Sequence, residues 1–139
     1  MNLASRMSFA DENSLPESPV ILLVDDDPEI LDATSILLET EGYVVRTARE
    51  GGEALEQIEG GLTPAIILLD LMMPGMNGFE FYGRLRGLPA PAGRTPVIVI
   101  SAMRETERRA AELGAEDTLT KPYELSDLLD KIGRRLGRC

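Results

Sequence analysis

Four aspartates, a serine and a lysine stand at the ends of apolar segments. "VILLV" (20–24) runs into Asp25, Asp26 and Asp27, "AIILLD" (65–70) ends in Asp70, "PVIVIS" (96–101) ends in Ser101 and "DTLTK" (117–121) ends in Lys121. Clustered carboxylates repel one another and are costly to bury unless a cation balances them. Hard oxygen donors in such a cluster favour Mg²⁺, which takes one or two carboxylates and leaves room for a phosphate. A lysine adds a compact positive charge suited to a phosphoryl oxygen, a serine hydroxyl can donate to another, and a carboxylate can itself be the nucleophile. The chemistry these types support together is phosphoryl transfer to an aspartate.

That chemistry needs a scaffold that brings distant segments to one edge. Three of the apolar segments are near-continuous runs, as expected of strands buried on both faces of a parallel sheet, and "YVVRTA" (43–48) adds a fifth strand. Helical segments alternate with them. Asp27 as N-cap and Pro28 in the first turn open a helix that presents Ile30, Leu31, Thr34, Leu37 and Leu38 on one face and ends at Gly42. Further helices are predicted over 52–59, 78–87, 104–113 with Gly114 closing it, and 124–136. The alternation predicts an α/β fold, a (βα)5 doubly wound five-stranded parallel sheet of the flavodoxin-like type. In its usual order, 2-1-3-4-5, strands 1, 3, 4 and 5 are neighbours, so Asp25, Asp26, Asp70, Ser101 and Lys121 converge at the switch point.

Taken singly, each residue has a plainer reading: a turn aspartate, a strand-end hydroxyl, a solvated lysine. Independent accidents would not put all five on adjacent strand ends. The chain has no histidine, so it has no histidine base, ligand or phosphohistidine of its own. Its net charge of −10 argues against direct nucleic-acid contact, and Arg104/Arg108/Arg109 and Arg134/Arg135/Arg138 read as solvated helix faces. The apolar runs are too short for a bilayer, and the one cysteine, Cys139, suits a reducing compartment, so a cytoplasmic location is expected.

"LLVDDD", "LLDLMMPGMNG", "VIVISA" and "LTKPY", in that order and spacing, resemble the receiver domain of two-component response regulators, over about residues 18–137. The expected layout is a polar, mobile leader at 1–17, the receiver at 18–137 and a tail at 138–139, working as a stand-alone regulator or as a piece of a larger regulator or hybrid kinase. The resemblance implies that Asp70 accepts a phosphoryl group from a histidine kinase or histidine phosphotransfer protein. It implies Mg²⁺ held directly by Asp26, Asp70 and the backbone carbonyl of Met72, with Asp25 acting through water. Ser101 and Lys121 would contact the phosphoryl group, and Lys121–Pro122 would be cis. A downstream protein target and a second copy of the chain complete the expected partners. The domain would catalyse its own phosphorylation and dephosphorylation rather than turn over a substrate.

The chain departs from the family pattern at three places. Thr118 replaces the aromatic switch residue, which leaves Tyr123 or a repacked last strand to report the signal. The 101–114 segment is about two residues short. Met72 and Met103 flank the expected path of the hydrolytic water, and their apolar side chains predict a long-lived phosphoryl group. The competing reading is a haloacid-dehalogenase-like phosphatase with Asp70 as nucleophile; it would need a second aspartate where Met72 stands.

Overall fold

The computed structural model describes residues 19–71, 77–101 and 106–137. The leader and the tail lie outside these, as do Met72 and Met103. Five parallel strands, β1 (Val20–Val24), β2 (Val44–Ala48), β3 (Ile66–Asp70), β4 (Val97–Ser101) and β5 (Asp117–Thr120), form one sheet in the order β2-β1-β3-β4-β5. This is the predicted order. Helices α1 (Pro28–Thr40), α2 (Gly51–Glu59), α3 (Gly78–Arg86), α4 (Thr106–Leu113) and α5 (Leu125–Leu136) follow the strands in turn. No helix among the described residues is long and apolar enough to cross a membrane.

The continuous apolar strands are explained by two separate cores. Ile21, Leu23, Ile66 and Leu68 point to one face, where Leu31 and Leu38 of α1 and Leu128 and Ile132 of α5 cover them. Leu22, Val24, Ile67 and Leu69 point to the other, against Leu55 of α2, Phe81 and Leu85 of α3 and Ala110 of α4. Because side chains alternate along a strand, only a strand covered on both sides needs apolar residues at every position.

Helix α1 begins as expected. The Asp27 carboxylate accepts from the amides of Glu29 and Ile30 at 2.9 and 3.4 Å, and Gly42 and Gly114 end α1 and α4 in the left-handed region at φ 95° and 83°. One expectation fails here. Leu31, Thr34 and Leu38 are buried, but Leu37 is 42% exposed and its neighbour Ile36 63%. Leu37 precedes Leu38 by one residue, about 100° around the helix, which turns it off the buried stripe. A short 3-10 turn, Ala92–Arg94, precedes β4.

At the edge of the sheet away from the strand ends, charged residues pin β5. Arg86 donates to both carboxylate oxygens of Glu116 at 3.1 and 3.3 Å and to Thr95 O at 2.7 Å, and its guanidinium lies over the Tyr82 ring. Glu116 also accepts from Val97 N at 2.8 Å. Arg135 donates to Glu116 O, and Arg109 stacks on Phe79, so two of the arginines expected on solvated faces have partners. Lys131, one of the two lysines, bonds Asp117 at 2.9 Å.

Burial disfavours the Asp117 charge, but Lys131, the Thr118 amide and Arg135 outweigh it and hold the carboxyl below its ordinary 3.8. A folded-state value below the unfolded one contributes stability that is complete above pH 3.8 and disappears as pH falls through the folded value. Asp117→Asn is therefore expected to lower the urea midpoint at pH 7, with the gap to wild type closing on acidification below pH 3.8. A gap that stays constant with pH would contradict the pairing.

Candidate functional site

The register places the reactive side chains along one edge. Val24 aligns with Leu69, Asp70 with Ile100 and Ser101 with Thr120, so Asp25, Asp26, Asp70, Ser101 and Lys121 all lie at the carboxyl ends of β1, β3, β4 and β5. Backbone bonds tie these ends together: Leu71 N donates to Ile100 O at 3.3 Å and Lys121 N to Ser101 O at 2.8 Å. Asp25, Asp70 and Ser101 are buried, and Asp26 is half-buried.

One carboxylate oxygen from each of Asp25, Asp26 and Asp70 lies within 4.8 Å of the others. Lys121 Nζ donates to Asp25 Oδ2 at 3.1 Å and to Asp70 Oδ2 at 3.5 Å. Burial works against the lysine charge, but the hydrogen bond to Asp25 and the fields of Asp70 and Asp25 outweigh it, so its pKa is raised above the ordinary lysine value. One ammonium among three carboxylates leaves an excess of negative charge in a poorly hydrated place. An all-oxygen donor set with that excess is an acidic pocket fitted to a hard divalent cation such as Mg²⁺.

Asp25 is the residue whose role sharpens. Its Oδ1 accepts from Asp27 N at 3.0 Å while its Oδ2 holds Lys121. Both oxygens are already engaged within the protein, whereas Asp26 is more open to solvent. The Met72 carbonyl lies outside the described residues.

Lys121–Pro122 is cis, as the resemblance implied, and Ala90–Pro91 is cis as well. Thr118 is half-buried, and its amide donates to its neighbour Asp117 at 2.9 Å. Tyr123 packs on the core face shared by α1 and α5, and burial pushes its phenol pKa up although the Lys121 charge and the Thr34 hydroxyl oppose the shift. A movement of this ring would therefore be felt at α1 and α5. Gly78, the first residue of α3, donates its amide to Leu71 O at 3.1 Å, and a Cβ built on it would fall 2.6 Å from Leu71 Cα and 2.9 Å from Asp70 O.

The chain belongs to the response regulator receiver domain family, whose model matches residues 21–133. Among curated proteins it is 39% identical over 124 residues to the DNA-binding dual master transcriptional regulator RpaA of Synechocystis, covering 86% of this chain and 50% of that one. It is 43% identical over 112 residues to an uncharacterized 14.6 kDa protein of Leptolyngbya boryana, covering 78% and 83%. The chain thus spans about half the length of the first of these relatives. Among solved structures, the Francisella response regulator 1452 receiver domain superposes with a TM-score of 0.77 at 31% identity, covering 87% of this chain and 98% of that one. The Thermotoga maritima response regulator TrrA, solved in complex with Mg(2+)-BeF, gives 0.74 at 28% identity, covering 84% and 98%. Receiver domains are signalling switches, and relatives about twice as long are named as transcriptional regulators.

Proposed function

We propose that this domain is a phosphorylation-controlled switch of a two-component system, in which Asp70 takes a phosphoryl group from a phosphohistidine donor in a Mg²⁺-dependent reaction. The observation that carries the reading is the Asp25–Asp26–Asp70 cluster bridged by Lys121 at one sheet edge. Beryllium fluoride with Mg²⁺ in the Thermotoga relative is a phosphoryl-like group with the expected metal, and supports the same chemistry here.

In the reaction an Asp70 carboxylate oxygen attacks phosphorus, the phosphorus–nitrogen bond of the donor imidazole breaks, and its electron pair returns to the ring nitrogen. With the other ring nitrogen of the donor already protonated, an aspartyl phosphate and a neutral histidine result. Asp26 and Asp70, with the Met72 carbonyl that the resemblance implies and Asp25 acting through water, would hold Mg²⁺, which would supply positive charge for the phosphoryl oxygens. Lys121 bridges Asp25 and Asp70, so its ammonium is already in place to turn from the Asp70 carboxylate to a phosphoryl oxygen once that carboxylate is esterified. The buried Ser101 hydroxyl donates to another. Redistribution of charge at these strand ends then biases the outer surface between two arrangements. No substrate is turned over; loss of the phosphoryl group to water resets the domain, slowly if Met72 and Met103 screen it.

The functional unit in this reading is residues 18–137. Its donor is a histidine kinase or histidine phosphotransfer protein, and its output is contact with a protein target or a second copy of the chain. DNA binding is named for relatives about twice as long, and the net charge of −10 favours action through protein contacts in this domain.

Beryllium fluoride added with Mg²⁺ is expected to shift the amide resonances at the ends of β1, β3 and β4 and after β5, and EDTA to reverse the shifts. Spectra that do not respond, or that respond equally without Mg²⁺, would contradict the proposal.

A further inference from the structure

We propose that Gly78 is a positioning residue for Asp70, an assignment that rests on Asp70 being the phosphoryl acceptor. Gly78 is the first residue of α3; it is buried, and its amide donates to Leu71 O at 3.1 Å. A Cβ at this position would lie 2.6 Å from Leu71 Cα, 2.9 Å from Asp70 O and 3.0 Å from Leu71 Cδ2, whereas ordinary contact begins at 3.4 Å. The two shortest approaches are to backbone, which cannot swing aside as a side chain can.

Neither partner in this contact is free to retreat. Helix α3 is anchored by Phe81 and Leu85, both fully buried, and by the Arg86 contacts at its far end. Leu71 is 1% exposed and its amide is bonded across to β4. A methyl group at residue 78 must therefore move the Asp70–Leu71 backbone, the helix, or both. Asp70 carries its carboxylate on that same backbone, 3.5 Å from Lys121 Nζ and within 4.8 Å of the other two acids. Displacing the backbone moves the nucleophile with respect to the groups that serve it.

Helix formation gives no reason for glycine here, since glycine is a poor helix residue. The same helix contains an internal control. Gly83 is exposed, and a Cβ there would meet nothing within 4 Å, so Gly83→Ala should raise the melting temperature and leave the site untouched.

The test compares wild type, Gly78→Ala, Gly83→Ala and the double variant, using phosphoramidate and saturating Mg²⁺. Gly78→Ala is expected to lower the maximal phosphorylation rate about 10²-fold, the cost of misplacing a reacting group by roughly 1 Å, with little change in the phosphoramidate concentration giving half that rate. Gly83→Ala should react at the wild-type rate. The double variant should recover melting temperature and not recover rate, a split that a merely structural glycine would not produce. A double variant that phosphorylates at the wild-type rate, or that fails to fold, would overturn the assignment. A wild type that takes no phosphate would overturn the acceptor reading itself, and the assignment with it.

Discussion

Asp70→Asn is expected to abolish phosphoryl acceptance while leaving the fold intact. The amide has the volume of the carboxylate and can still accept a hydrogen bond, so the packing of a residue 8% exposed at the end of β3 is preserved. What disappears is the anionic oxygen that attacks phosphorus, and an amide oxygen is a far weaker nucleophile. Lys121 keeps its shorter contact, 3.1 Å to Asp25, so the lysine is not left unpaired in a half-buried position. Removing one of three crowded carboxylates also relieves repulsion, so the melting temperature without metal should equal or exceed that of wild type. Intact-mass measurement after incubation with phosphoramidate and Mg²⁺ should show one phosphate on wild type and none on the variant. Undiminished labelling of Asp70→Asn would move the acceptor elsewhere.

The second large effect separates the three consecutive aspartates. Asp26→Ala is expected to remove most of the Mg²⁺ affinity, whereas Asp27→Ser should change it less than about twofold. Loss of a residue that merely orients a metal ligand typically costs about 10–100-fold in affinity, and a direct carboxylate ligand should cost no less. The contacts favour Asp26 for that role, since both oxygens of Asp25 are engaged, one by Lys121 and one by Asp27 N. Asp27 faces the other way and caps α1 through the amides of Glu29 and Ile30. Serine caps helices about as well, whereas Asp27→Ala should cost about 1 kcal/mol of stability. Calorimetric titration with Mg²⁺ distinguishes the cases; equal losses at residues 26 and 27 would contradict the division of labour.

The strand segments and the placing of five residues at one edge of the sheet were legible in the sequence, because the segments follow from local patterns and the order is the usual one for five alternating strand–helix units. Apolar runs of strand length mark buried strands, and the residue that ends each run marks the edge. Less visible was anything set by contacts between distant segments. Arg86 and Glu116 are 30 residues apart and follow no period, so their pairing at the far edge of the sheet carries no sequence signal. Leu37 is apolar and close to the buried stripe, yet a rotation of one residue exposes it. Gly78 could be read as a turn glycine, but its contact with the backbone of Asp70 is a fact of packing. The engagement of both Asp25 oxygens likewise needed the geometry of the folded strand ends.

The central claim is that the phosphoryl group is carried as an acyl phosphate on Asp70. Borohydride reduction converts an aspartyl phosphate to homoserine and leaves ordinary aspartate unchanged. Wild-type protein phosphorylated from a phosphohistidine donor in Mg²⁺, reduced, digested and sequenced by mass spectrometry should contain homoserine at residue 70 and at no other aspartate. Homoserine at another position, or a stable phosphate that survives on a serine or threonine with residue 70 unmodified, would contradict the account.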